Sequence, residues 1–250
     1  MDYPKAIKAF IGESPLKSFN QGQSLATLYQ FENDDQAYVL KIQPTSDESH
    51  QEATMLDILS KKTLAPKIFI SASYEKNHYI IMEKHKDQTL ESLMHTKPID
   101  KIIDIALDGL NQLASLNDLK LPRYSLEKRL QDAYYNIKSG YVKRLDETPY
   151  TAPYKDPMAL YHYLVANMPS ETNSFVHGDY CLDNILTDGT KVTGFIDLGR
   201  SGMSDIYQDL ALLIRELSDY DIDILKKISE KLFPIDQDKL NYYLLLDELF

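Results

Sequence analysis

The chain has 250 residues, 43% of them hydrophobic and 26% charged, enough to bury a core as one domain or two close-packed lobes, which excludes general disorder. Lys and Arg number 27 against 38 Asp and Glu, a formal net charge of −11, which argues against a nucleic-acid or anionic-membrane partner and favours a cationic one. A single cysteine, Cys181, excludes an internal disulfide framework, no apolar run approaches the roughly 20 residues that span a bilayer, and Met1-Asp2-Tyr3-Pro4-Lys5 lacks a secretory pattern, so a cytoplasmic location is expected.

Taken in chain order, residues 25–31, 36–42, 67–72 and 78–82 are short β-rich apolar runs and read as strands. Between the second and third, Ala53, Leu56 and Leu59 recur at helical spacing, which predicts one helix over 49–59 packed on that sheet. After Lys84 the period changes, and 99–116, 126–141 and 157–168 read as long amphipathic helices. Residues 185–187 and 192–196 flank Asp188-Gly189, a tight-turn signal that predicts a β-hairpin. Three further helices follow over 205–217, 222–231 and 236–249. The pattern predicts two lobes, 1–84 with a sheet and a helix, and 85–250, mostly helical. Residues up to Lys84 carry 9 basic and 11 acidic side chains, and those beyond it 18 and 27, so the second lobe holds most of the negative charge. A solvated helical surface explains most of those acids one by one.

The densest chemistry lies in His177-Gly178-Asp179-Tyr180-Cys181-Leu182-Asp183-Asn184, followed by the hairpin and Phe195-Ile196-Asp197-Leu198-Gly199-Arg200. An Asp, an Asn five positions on, and a second Asp returned by a hairpin supply one carboxylate for a hydroxyl and two hard oxygens for Mg²⁺. This assigns Asp179 to the hydroxyl proton and Asn184 and Asp197 to the metal, the layout that phosphoryl transfer needs. Such a reading demands a strand lysine for the α- and β-phosphates, an acid on the next helix and a small-residue turn. Lys41, Glu52 and Gln21-Gly22-Gln23-Ser24 meet those demands, though each taken singly also reads as a surface lysine, a helix-start acid and an ordinary turn.

The segment from His177 to Arg215, with the ending Tyr242-Tyr243-Leu244-Leu245-Leu246-Asp247-Glu248-Leu249-Phe250, resembles the aminoglycoside 3'-phosphotransferases, and the resemblance runs the length of the chain. Its HGD-x-x-x-x-N and IDLGR pieces are shared with a wider superfamily that includes choline kinases, so they specify the reaction, while the ending is more specific for the substrate. The resemblance implies a two-lobed, protein-kinase-like α+β fold, with an N-terminal antiparallel sheet plus helix and a helical C-terminal lobe carrying a catalytic hairpin. It implies Asp179 as catalytic base, Asn184 and Asp197 as Mg²⁺ ligands, Lys41 as phosphate clamp, Glu52 as its partner, and Ser24 reaching the phosphates. Glu83-Lys84-His85 becomes the hinge at the adenine edge, so Glu83 and His85 belong to the nucleotide site. Asp146, Glu147, Asp247, Glu248 and the Phe250 carboxylate are implied ligands of substrate ammonium groups, Arg200 and Arg215 braces of that acidic pocket, and Asp209 an anchor of the catalytic loop.

Two departures stand out: Leu182 precedes Asp183 where the family often has another acid, and Val39 replaces an adenine-stacking aromatic, which leaves GTP open beside ATP. The expected reaction is ATP plus a cationic aminoglycoside giving ADP and the 3'-O-phosphorylated drug. Two alternatives stay open. One is a related kinase acting on choline, an amino acid or a sugar alcohol, although 18 Tyr and 8 Phe form no obvious cage in place of the acidic ending. The other is a nucleotide-binding pseudokinase acting through a partner, against which the full set of Lys41, Glu52, Asp179, Asn184 and Asp197 argues. HGD in place of HRD and the lack of an Ala-Pro-Glu segment disfavour a protein kinase. Oligomeric state is not legible.

Overall fold

The computed structural model describes residues 3–19, 26–117, 120–146, 148 and 150–250. The chain opens with helix α1 (Lys5–Ile11) and strand β1 (Lys17–Phe19), neither of which the sequence pattern predicts, because so few residues show little periodicity. Strands β2 (Thr27–Asn33) and β3 (Gln36–Pro44) form a hairpin closed by Asp34-Asp35, both at positive φ, the left-handed turn that suits the strand twist. Helix α2 (Asp47–Ser60) follows, then β4 (Ile68–Tyr74), β5 (Asn77–Glu83) and the short β6 (Gln88–Thr89). The first five strands make one antiparallel sheet in the order β1-β2-β3-β5-β4.

Side chains alternate across a strand, and here both faces of β3 are used. Tyr38, Leu40 and Ile42 join Phe31, Tyr79 and Ile81 in a core covered by Ile7 and Ile11 of α1. From the other face Lys41 reaches Glu52 of α2, whose buried stripe continues through Met55, Leu56 and Leu59. Burial on both sides explains why the predicted strand over 36–42 reads as a nearly unbroken apolar run.

Beyond β6 come α3 (Ile99–Ala114), α4 (Leu126–Lys138), α5 (Pro157–Ala166) and the short strand β7 (Asn173–Val176). Ser125 and Asp156 cap α4 and α5 through their side chains, which sets where those helices begin. After the loop from His177 come β8 (Ile185–Thr187) and β9 (Val192–Phe195), then β10 (Gly202–Asp205), α6 (Tyr207–Ser218), α7 (Ile224–Lys231) and α8 (Gln237–Asp247). Strand β10 pairs antiparallel with β7, and α8 packs on α6.

The chain divides into two compact units, Met1–Thr89 with Asn184–Arg200, and Leu90–Asp183 with Ser201–Phe250. A single cut near Lys84 therefore assigns the hairpin to the wrong side. Strand β8 pairs with β6, and the Phe195 N–H donates to the Leu64 carbonyl at 2.9 Å, so backbone hydrogen bonds place β8 and β9 with the first unit. Among the described residues no helix is long and apolar enough to cross a membrane.

Candidate active site

In the first unit the predicted site side chains are held by charge. Lys41 is 5% exposed, and its Nζ lies 2.7 Å from Glu52 Oε1 and 3.0 Å from Asp197 Oδ1. Gln43 Nε2 donates to the other Glu52 oxygen at 2.6 Å. Burial alone would depress the Lys41 pKa, but the Glu52 and Asp197 carboxylates overcome it and hold the pKa above the ordinary lysine value, so the ammonium stays charged. Glu52 is presented by α2, whose start is fixed by a reciprocal capping box between Ser46 and Ser49.

Asp197 follows β9 at a φ of 58°, a left-handed conformation that Asp tolerates better than most residues. Its side chain is 41% exposed, and the preceding residue, Ile196, donates its N–H to the Asn184 carbonyl at 3.1 Å. Asn184 and Asp197 thus sit on neighbouring backbone and offer hard oxygen donors. Among the described residues no cluster of three or more His, Cys, Asp or Glu could hold a metal. The two donors fit a cation such as Mg²⁺, which binds few protein oxygens and completes its shell from phosphate and water.

Glu83 closes β5, with its N–H on the Lys67 carbonyl at 2.8 Å, and Lys84 donates its N–H to Ala37 at 3.0 Å. His85 Nδ1 accepts from the Asp87 N–H at 3.2 Å, and His85 Nε2 faces Gly194, 3.5 Å from where a Cβ would stand. Arg200 donates from Nε to Glu48 at 3.0 Å, an ion pair inside the first unit that the sequence reading did not foresee. A Cβ on Gly199 would lie 2.7 Å from Glu48 Cγ, so glycine makes room for that pair.

In the second unit the backbone is what is held. Strand β7 runs into His177 and Gly178, whose N–H groups both donate to Asp209, at 2.7 and 2.8 Å. Asp209 lies in the first turn of α6 and is 1% exposed, and burial pushes its pKa up to about 7 against those two donors and Arg129. Gly178, at a φ of 87°, turns its carbonyl to Arg129 Nη1 at 3.1 Å and Gln208 Nε2 at 2.9 Å. The Asp179 N–H donates to His177 Nδ1 at 3.3 Å, and Tyr180 is anchored through its hydroxyl to the Ala106 carbonyl at 2.6 Å. Further on, the Leu182 N–H donates to Glu216 Oε2 at 2.8 Å. Burial, with Glu91 and Asp183 nearby, pushes the Glu216 pKa up to about 7.

The same unit gathers the acidic ending. Asp247, at the end of α8, lies 2.5 Å from Arg215 Nη1 and 4.0 Å from Arg129 Nη2. Glu248 accepts the Asp146 N–H, and burial followed by the Asp146 charge raises its pKa. The Phe250 ring lies 4.5 Å from the Arg129 guanidinium. The fold therefore brings Arg129, Arg215, Asp247 and Phe250 together and sets Glu248 beside Asp146 and Arg215, while Ser24 and Glu147 lie outside the described residues. Arg129, Gln208 and Glu216 were missed by sequence reasoning. Only Arg129 left a signal, as a charge on the same helical stripe as Leu126, Leu130 and Ala133.

Residues 16–232 match the model of the phosphotransferase enzyme family, APH. An aminoglycoside 3'-phosphotransferase of Niallia circulans is 35% identical over 208 residues, covering 80% of this chain and 78% of that protein. A crystal structure of an aminoglycoside-3'-phosphotransferase of type VIII superposes with a TM-score of 0.80 at 23% identity, over 98% of this chain and 97% of that one. An aminoglycoside phosphotransferase of Streptomyces rimosus in complex with ADP and streptomycin gives 0.78 at 21% identity, over 97% and 95%. At these identities the two structural likenesses establish a shared kinase-like α+β fold.

Proposed function

The chain belongs to the phosphotransferase enzyme family and, within it, to the aminoglycoside 3'-phosphotransferases, and on that premise we propose that it transfers the γ-phosphate of ATP to the 3'-hydroxyl of kanamycin- and neomycin-type drugs, conferring resistance to them. The observation that carries the acceptor class is the acidic ending. Asp247 has Arg215 and Arg129 beside it, and Glu248 stands among two acids, Asp146 and Asp247, as well as Arg215. Burial first, and then the Asp146 and Asp247 charges, raise the Glu248 pKa, so a cation bound beside these acids would relieve their mutual repulsion. Each charge-assisted hydrogen bond from an ammonium group is worth about 1.5–3 kcal/mol, and several at once orient a rigid polycation.

On the nucleotide side, Lys41 neutralises the α- and β-phosphates, and Glu52 fixes where its ammonium points. Mg²⁺, when bound through Asn184 and Asp197, supplies charge neutralisation at the β- and γ-phosphates. The Glu83 to His85 backbone serves the adenine edge, and Ser24 the phosphates. Asp179 accepts or orients the proton of the attacking hydroxyl, so little covalent chemistry is asked of the protein. The reading carries a cytoplasmic location, where ATP is at hand and the single thiol, Cys181, stays reduced.

A coupled ADP-release assay with ATP and Mg²⁺ tests this on kanamycin, neomycin, tobramycin (which lacks the 3'-hydroxyl), choline and no acceptor. Turnover with the first two and not with tobramycin is expected. Turnover on choline with silence on every aminoglycoside would transfer the chain to another small-molecule substrate.

A further inference from the structure

Arg129 occupies a position on α4 where the helical period calls for an apolar residue, and it is 2% exposed. Taking a guanidinium out of water costs several kcal/mol unless it is paired and hydrogen-bonded, so its presence demands partners that a leucine would not serve. Such partners lie around it. Nη1 donates to the Gly178 carbonyl at 3.1 Å, Nη2 faces Asp247 at 4.0 Å, and the Phe250 ring lies 4.5 Å from the guanidinium carbon. Gly178 immediately precedes Asp179, and Asp247 and Phe250 belong to the acidic ending.

We propose that Arg129 is a positioning residue that couples the acidic ending to the catalytic loop through the two ends of one rigid guanidinium. The inference rests on the reading of Asp179 as the group that orients the attacking hydroxyl. Because the guanidinium is planar, a carboxylate that draws Nη2 towards it also turns Nη1, and with it the Gly178 carbonyl. Occupation of the acidic ending by an ammonium group thereby reaches the residue before Asp179. A lysine at this place would keep the charge and lose the span, since it lacks the two separated nitrogens of the guanidinium that face the Gly178 carbonyl and Asp247. The loop itself would remain formed, because Asp209 still holds both N–H groups and Gln208 still holds the Gly178 carbonyl.

The test uses the full chain as Arg129→Lys, Asp247→Asn and the double variant, with kanamycin turnover and acceptor-free hydrolysis of ATP by water measured in each. Misplacement of a catalytic group by an ångström costs up to about 100-fold, so Arg129→Lys is expected to lower kcat for kanamycin about tenfold or more, with the ATP KM within about twofold of wild type. Asp247→Asn is expected to lower water-directed hydrolysis about threefold in the wild-type background and to have no further effect in Arg129→Lys, the non-additivity expected of two residues that act as one unit. A kcat near wild type in Arg129→Lys, or an equal effect of Asp247→Asn in both backgrounds, would overturn the coupling. Should Arg129→Lys fail to fold, Asp247→Asn alone decides: unchanged water-directed hydrolysis overturns the proposal, and reduced hydrolysis supports it. Silence of the wild-type enzyme on aminoglycosides would remove the acceptor reading, while the hydrolysis comparison still decides the role of Arg129.

Discussion

The two units hold their functional groups by opposite means. In the first, the side chains proposed to serve the phosphates are locked by charge, with Lys41 between Glu52 and Asp197. In the second, the backbone on either side of Asp179 is locked by Asp209, Arg129, Gln208, His177 and Glu216, through bonds to N–H and C=O groups. Charge locking makes each partner costly to remove singly. Backbone locking spreads the work, so that the carboxylate at the centre can be changed without loosening its frame.

That contrast is open to direct attack. The largest expected effect is on turnover: Asp179→Asn should lower kcat about 1,000-fold, the middle of what general-base assistance supplies, while urea denaturation and the ATP KM stay near wild type. Loss of folded protein in this variant would break the comparison. Next in size is Lys41→Met, which strands the buried Glu52 and should cost about 3–5 kcal/mol in urea unfolding, with a raised ATP KM. Replacing Glu52 by Leu in the same chain should return most of that stability and none of the activity, which separates the structural share of the pair from its proposed role at the phosphates.

A smaller effect distinguishes the units by pH. The Glu216 pKa of about 7 stands above its ordinary 4.5, so between these values the native state holds a proton that the unfolded chain has lost. Stability is therefore full below the ordinary value and declines as pH rises through the interval, and Asp209 adds a slope of the same sign. Glu216→Gln keeps an acceptor for the Leu182 N–H and removes one of the two slopes. Against wild type, its unfolding midpoint should be relatively higher at about pH 8 than at about pH 5, and an equal difference at both would contradict the assignment. The smallest effect is expected at Arg200→Ala, where the partner Glu48 is 54% exposed at its side chain and the pair should be worth under about 1 kcal/mol.

Element by element, length and turn chemistry decided what was legible. The strands β2 to β5 and the helices α2 to α8 show enough residues for a period of two or 3.6 to stand out, and the short β8 and β9 are marked by the Asp188-Gly189 turn between them, whereas α1, β1, β7 and β10, of three to seven residues, carry no such signal. The return of β8 and β9 to the first unit depends on a two-residue partner, β6, which leaves no pattern at all. At the site, Lys41 and Glu52 were readable from the order of strand and helix, and the acidic ending from its resemblance to a family. Gln208 and Glu216 were not readable, because a buried or half-buried polar residue that serves distant backbone looks in sequence like a surface residue. Arg200 shows the same blindness from the other side: its charge was visible and its partner, Glu48, was 152 positions away.

The most direct test of the central claim is the position of the transferred phosphate. Kanamycin incubated with the enzyme, ATP and Mg²⁺ should give a single product whose phosphorus couples, in phosphorus–proton correlation NMR, to the proton on the 3' carbon. Coupling to any other carbon's proton, or ADP release with no phosphorylated kanamycin, would contradict the account.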